Sequence, residues 1–94
     1  MARILVKREH HKSLGDSRKA VERVARKLAE KFDVSYEWDG DTLLFHRMGV
    51  KGAIALLPGV VEVVAELGFL FGALRNTVEN EIERYLDKEF SKRG

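Results

Sequence analysis

The sequence predicts an α+β fold: a two-layer sandwich of element order β-α-β-β-β-β-α, with one antiparallel five-stranded sheet carrying two helices on one face. Three observations carry this expectation. Residues 60–67, VVEVVAEL, alternate Val61, Val63, Ala65 and Leu67 against Val60, Glu62, Val64 and Glu66, the period of two of a sheet covered on one side. Two other stretches space their apolar residues by three and four, as amphipathic helices do. Between them the glycines at 40, 49 and 59 punctuate the chain into short strands.

The first strand is ARILVKRE, residues 2–9, where Ile4 and Val6 alternate with Arg3, Leu5 and Lys7. HHKSLGDS breaks it, and Ser13 or Asp16 supplies an N-cap for the first helix. That helix carries Ala20, Val21, Val24, Ala25, Leu28, Ala29 and Phe32 on one face and ends near Asp33. Its other face holds six Lys or Arg against two Glu between residues 18 and 31.

A hairpin follows. Val34, Tyr36 and Trp38 alternate with Ser35, Glu37 and Asp39, the dipeptide Asp39-Gly40 provides the positive backbone dihedrals of a tight turn, and Leu43, Phe45 and Arg47 resume the alternation. Gly49 reverses the chain again. Val50, Gly52, Ile54 and Leu56 then share one face of a fourth strand, and Pro58-Gly59 leads into the fifth. From Leu70 the period becomes helical, through Leu74, Val78, Ile82, Tyr85 and Leu86, with Gly68 at the switch point, so one long helix should lie across the sheet. Placing the first strand beside the last gives the spatial order 1-5-4-3-2, a reduced helix-grip-like arrangement.

At 94 residues, residues 1–94 form one expected domain, with the tail SKRG at 91–94 expected to fray. The absence of cysteine excludes a disulfide framework and thiolate metal sites. The apolar run in MARILVKREHHK is too short for a signal peptide, and no stretch approaches membrane-spanning length, so a cytoplasmic protein without a membrane span is expected. The net charge of +2 conceals an asymmetry: residues 1–31 carry ten Lys or Arg against four Asp or Glu, and residues 32–94 seven against eleven. Such a division suits either a polyanion partner or two helices of opposite charge that meet.

Chemistry-bearing patterns are few. His10, His11 and His46 lack the spacing of a metal-ligand set, and the expected alternative is solvent exposure. No nucleophile with a base, GxGxxG or P-loop spacing occurs, so neither an enzyme nor a cofactor is expected. Arg18, Lys19, Arg23, Arg26 and Lys27 form a candidate anion-binding face, or else a plain solvated one. No aromatics interleave with them for base stacking and Glu22 is placed to pair with Arg26, which ranks nucleic acid last among partners. Phe69, Leu70 and Phe71 are three consecutive large apolar residues at the strand-to-helix junction. They cannot all point one way: either they plug the end of the core or at least one is exposed as a hydrophobic contact surface.

The blocks RKAVERVARKLAEKFDVSYEWDGDTLLFHRMGVKG and ELGFLFGALRNTVENEIERYLDKEF resemble the small bacterial family of polyhydroxyalkanoic acid system proteins, also described as polyhydroxyalkanoate granule-region proteins. The most specific parts are Tyr36-x-Trp38-x-Gly40-Asp41 with Phe45 after it, and Glu66-Leu67-Gly68-Phe69-Leu70 entering a charged helix that contains Glu79, Glu83 and Leu86. The fourth strand, AIALLPG, is more apolar than the family pattern. The resemblance implies association rather than a reaction: members are encoded near genes for making and using a polyester stored as cytoplasmic granules, and no catalytic or ligand residue carries over. The expected function is thus a non-enzymatic accessory protein of polyhydroxyalkanoate storage, at the granule surface or on a granule-associated protein. Two alternatives stand beside it. One is a hydroxyacyl or other lipid-like ligand held in a pocket lined by Tyr36, Trp38, Phe45, Ile54, Leu70 and Leu74. The other is a structural homodimer, favoured by Val60 and Val64 on the outer side of the last strand.

Overall fold

A computed structural model describes residues 2–90; the tail at 91–94 lies outside the described residues. Five strands, β1 (Ala2–Glu9), β2 (Ser35–Asp39), β3 (Thr42–Arg47), β4 (Val50–Leu57) and β5 (Val60–Leu67), pair antiparallel throughout in the order β1-β5-β4-β3-β2. The helices are α1 (Leu14–Phe32), the single turn α2 (Phe69–Gly72) and α3 (Arg75–Glu89). This is the α+β sandwich and the strand order that the sequence predicts.

The alternation in each strand decides which face is covered. Ile4 and Val6 of β1, Leu43 and Phe45 of β3, Ile54 and Leu56 of β4, and Val61, Val63, Ala65 and Leu67 of β5 join Val21, Val24 and Leu28 of α1 and Val78, Ile82 and Leu86 of α3 in one buried cluster. Both helices therefore close the same face of the sheet. Arg8 of β1 ties α3 down at the sheet margin, through Asp87 at 2.8 Å and Glu83 at 3.3 Å.

The local signals are resolved in detail. Ser13, not Asp16, caps α1: its hydroxyl accepts from the Asp16 N–H at 3.2 Å, while Asp16 places a negative charge in the first turn. Asp33 ends the helix in the left-handed region at φ 59°, where its N–H reaches the Ala29 carbonyl. The β2–β3 turn differs by one residue from expectation. Asp39 is still paired, with Thr42, so the two-residue loop is Gly40-Asp41, and Gly40 alone has positive φ, at 63°. That pattern, with glycine leading the loop, matches the right-handed twist of the strands without needing Asp39 in a strained conformation.

The single long helix expected from Leu70 is broken. Leu74 N–H bonds back to the Phe71 carbonyl at 2.9 Å, a tighter i to i+3 turn, and α3 starts afresh at Arg75 with the Leu74 carbonyl accepting from Val78 N–H. Gly72 lies where the break begins, and a glycine inside a helix costs about 1 kcal/mol relative to alanine. As a result Leu70 and Leu74 do not share the buried stripe of Val78, Ile82 and Leu86.

Inside the sheet, Gly52 is a packing requirement. It pairs with Phe45 on β3 and Ala65 on β5, and the Phe45 ring lies over its Cα. A methyl group there would run into the ring and stand 2.7 Å from the Val64 carbonyl oxygen, so neither a rotamer change nor a backbone shift alone relieves it. Gly52→Ala is expected to lower unfolding free energy by about 2–3 kcal/mol in urea denaturation, with the fold retained.

Candidate functional site

Three surfaces and cavities gather the candidate residues. The first is the knuckle formed by α2. Gly68 ends β5 and its N–H donates to the Gly49 carbonyl at 2.8 Å, which brings the β3–β4 turn against the start of α2. Within α2 the three apolar side chains diverge, as the sequence requires. Phe71 turns inward: it packs on the core, its ring lies 3.1 Å from where a Cβ on Gly49 would stand, and the Arg47 guanidinium sits 4.9 Å from its ring centre. Phe69 and Leu70 turn outward and are 95% and 80% exposed. Met48, on the turn that contacts Gly68, is 90% exposed. Arg47 also donates to the Phe32 carbonyl at 3.2 Å, so this end of the molecule is held together by one cation reaching both helical elements.

The second is a groove of about 450 Å³ between α1 and α3. Val24 and Tyr85 form its apolar part, and Arg23, Lys27, Lys31, Arg84 and Lys88 outnumber Glu30 and Glu89 around it. Of the candidate anion-binding residues, Arg23 and Lys27 lie here, where Arg23 bonds Glu89 at 2.7 Å and Lys27 stands 3.8 Å from Glu30. Lys31 reaches Glu81 at 3.7 Å. The basic helix thus meets acidic residues of the last helix, and the two halves of opposite charge seen in the sequence are joined in one molecule. Arg18 is elsewhere: it stacks 4.0 Å over the Trp38 ring and bonds the Gly40 carbonyl and Asp41. Lys19 and Arg26 do not line the groove.

The side chains of the alternative acyl pocket do not converge. Ile54 and Phe45 are core side chains, and Tyr36 and Trp38 stand on the edge strand β2. Leu70, in α2, and Leu74, at the break between the helices, are exposed, and next to Leu74 Arg75 bonds the Arg3 carbonyl of β1. The void beneath α3 among Leu28, Phe45, Val78 and Ile82 measures about 10 Å³, too little for an acyl chain. The physical reason is size: in so short a chain the large side chains are consumed in filling the core.

Trp38 instead serves electrostatics. Its indole N–H donates to Glu22 at 2.8 Å, displacing the expected pairing of Glu22 with Arg26. That hydrogen bond, aided by Tyr36 and by the positive charges of Arg26 and Arg18, holds the Glu22 carboxyl below the usual carboxylate range against its desolvation.

The third feature escaped the sequence reading. His10, expected on the surface, is 5% exposed, and its ring lies 4.9 Å from that of Phe90, itself buried at the end of α3. Burial pushes the His10 imidazole below its ordinary pKa, with the positive charges of Lys12 and His11 acting in the same direction. His46 lies on the outer face of β3, exposed and paired with Lys51 in register. Among the described residues no three His, Asp or Glu approach closely enough to share a metal ion, and no helix is long and apolar enough to cross a membrane.

These features define a small antiparallel α+β sandwich that presents an apolar knuckle at one end and a charged groove between its helices. The family model described as "Putative polyhydroxyalkanoic acid system protein" matches residues 4–90, and the chain belongs to that family. Comparison with curated proteins and with solved structures returned no match.

Because the Glu22 pKa is depressed in the folded state, its stabilising contribution is complete above the unfolded carboxylate pKa and is lost as pH falls through the folded one. Trp38→Phe removes the largest cause of that depression. In urea melts between about pH 6 and pH 3 the variant should lose less stability on acidification than the parent, while being less stable than the parent at neutral pH.

Proposed function

We propose that this chain is a non-enzymatic accessory protein of polyhydroxyalkanoate storage that docks on the granule surface, or on a granule-associated partner, through the α2 knuckle. The observation behind this reading is the orientation of Phe69 and Leu70: neither contributes to the core, yet both project from a helical turn anchored by Phe71. Two such side chains moved from water onto an apolar polyester surface stabilise the contact by about 1.5–3 kcal/mol each, before ordering losses. That magnitude fits reversible attachment, with Met48 adding to the same end of the molecule. Arg47, over the Phe71 ring and bonded to the Met48 carbonyl, puts a positive charge beside the patch. Family membership supplies the polyester context, and a cytoplasmic location at storage granules follows from the proposal.

The knuckle can be removed without touching the core. Phe69→Asp with Leu70→Asp should leave stability within about 0.5 kcal/mol of the parent, as expected for exposed positions. The same double variant should abolish co-sedimentation with purified polyester granules. Undiminished co-sedimentation would reject docking through this surface. Phe71→Asp is the wrong probe, since Phe71 packs on the core and its loss would perturb the fold itself.

A second reading, pairing of two copies through the open sheet face, is favoured by one observation. In register across four strands the outer face carries Leu5, Val64, Ala53 and Leu44 as an apolar row, and Leu5 is 54% exposed. Beside it runs the row Arg3, Glu66, Lys51 and His46. A two-fold axis along the strand direction between β4 and β5 would set Glu66 of each copy against Lys51 of the other, and Leu5 against Leu44, in a face-to-face sheet packing. On this reading the native mass is that of a dimer and Val64→Arg converts it to a monomer in light scattering. A parent chain that is already monomeric at about 100 μM dismisses it.

A further inference from the structure

His10 extends the inward side of β1 by one position: it follows Ile4, Val6 and Arg8 in the alternation, and its backbone N–H donates to the Gly59 carbonyl at 3.0 Å, just beyond the Glu9–Val60 pair. The ring is thereby carried to the C-terminal end of α3, where it is buried against Phe90. This contact lies at the opposite end of β5 from the α2 knuckle.

The hydrogen bonding of the ring admits only the neutral imidazole. The backbone N–H of Lys12 donates to Nδ1 at 3.0 Å, so Nδ1 carries no proton and the neutral ring holds its proton on Nε2. Nε2 is buried and has no hydrogen-bond partner. A second proton would have to sit on Nδ1, facing the Lys12 N–H donor to donor, and would leave a buried charge with no acceptor at either nitrogen. The charged groups around the ring do not offset it. Lys12 and His11, on the loop after β1, oppose a positive ring. On α3, Asp87 and Glu83 are held by Arg8, and Glu89 by Arg23. Asp41 of the β2–β3 turn, which shares a cavity wall with His10, is held by Arg18. The contributions of α1 and of the β4–β5 turn to that wall, Leu14, Ser17, Pro58 and Gly59, carry no charge.

We propose that His10 is an acid-sensitive latch on the C-terminal end of α3: the neutral ring fills the space beside Phe90, and protonation expels it and frees Phe90 with the last turn of the helix. The direction follows from linkage. Because burial lowers the His10 pKa in the folded chain, the expelled ring takes up a proton more readily than the seated one. The latch is therefore complete above the ordinary imidazole pKa of 6.5 and weakens as pH falls below it. At about pH 5 protonation favours the expelled ring by up to about thirtyfold, since each unit of pH below that pKa contributes about a factor of ten. Glu22, whose carboxyl is held below the ordinary range, stays ionised over this interval and does not mimic the effect. The latch does not involve the knuckle, so it stands or falls independently of granule docking.

The test is amide hydrogen exchange by NMR on the full chain labelled with nitrogen-15, from about pH 7.5 to about pH 5, each rate being compared with the intrinsic rate at the same pH. The Phe90 N–H, bonded to the Leu86 carbonyl at 2.7 Å, should lose protection by about tenfold to thirtyfold. At the acid end it should still exchange at least about tenfold faster than the Val63 amide inside β5, as a local opening requires. His10→Phe, which keeps a ring beside Phe90, and His10→Asn, whose side-chain oxygen can still accept from the Lys12 N–H, do not titrate; in both, Phe90 protection should change by less than about twofold over the same range. The ring nitrogen shifts of the parent should report the Nε2–H tautomer at neutral pH. Unchanged Phe90 protection in the parent would overturn the proposal, as would an acid response that persists in either variant, or an Nδ1–H tautomer. So would equal protection of Phe90 and Val63 at the acid end, because the helix end would then leave only when the whole domain unfolds.

Discussion

Everything in this molecule depends on β5 being wet on neither edge and dry on one face. It hydrogen-bonds β1 on one side and β4 on the other along its whole length. Its inward residues Val61, Val63, Ala65 and Leu67 are inaccessible to solvent or nearly so. A slip of one residue would move all four to the outer face and bring Glu62 and Glu66 into the core, so the register of this interior strand is fixed by the cost of burying two carboxylates. The positions of the remaining elements follow from it. Two-residue turns count β4, β3 and β2 outward from β5, and the two long helices have one apolar face to share.

That dependence explains why the sheet was legible in the sequence. Strict alternation in β3, β4 and β5, punctuated by glycine at each reversal, leaves few arrangements open, and the strand order follows once β1 is set against the strand whose inner face it completes. Legibility failed where a side chain's fate is decided by elements distant in sequence. Leu70 and Leu74 continue the helical spacing of Val78 and Ile82, but a turn after Phe71 rotates them away, and the sole local signal is Gly72. His10 looked like a surface residue because nothing beside it is apolar; it is buried by Phe90, eighty positions later, at the end of a helix whose placement the sequence left open. Glu22 had a plausible partner four residues along and took a better one from the hairpin. The apolar triplet at 69–71 cannot all point one way, yet which of the three turns inward depends on the position of Gly49.

The small size of the domain also determines where function can reside. With Phe45, Ile54, Leu28 and Ile82 all needed to exclude water from a single layer of core, the void beneath α3 has no room for an acyl chain, and the surface the fold leaves unused lies at its ends. The α2 knuckle is of this kind: it is apolar surface that the fold has not used. The helix groove differs, because most of its cations already have carboxylate neighbours within the chain.

The margins of the sheet carry a consequence of their own. β2, at one margin, is only five residues long and bears Glu37 and Asp39; β1, at the other, bears Arg3, Lys7 and Glu9. Short length at the β2 margin and charge at both discourage the edge-to-edge strand addition by which sheets grow into fibrils. In the granule coat proposed above, molecules would then pack side by side without zipping backbones together, and copies could leave it one at a time.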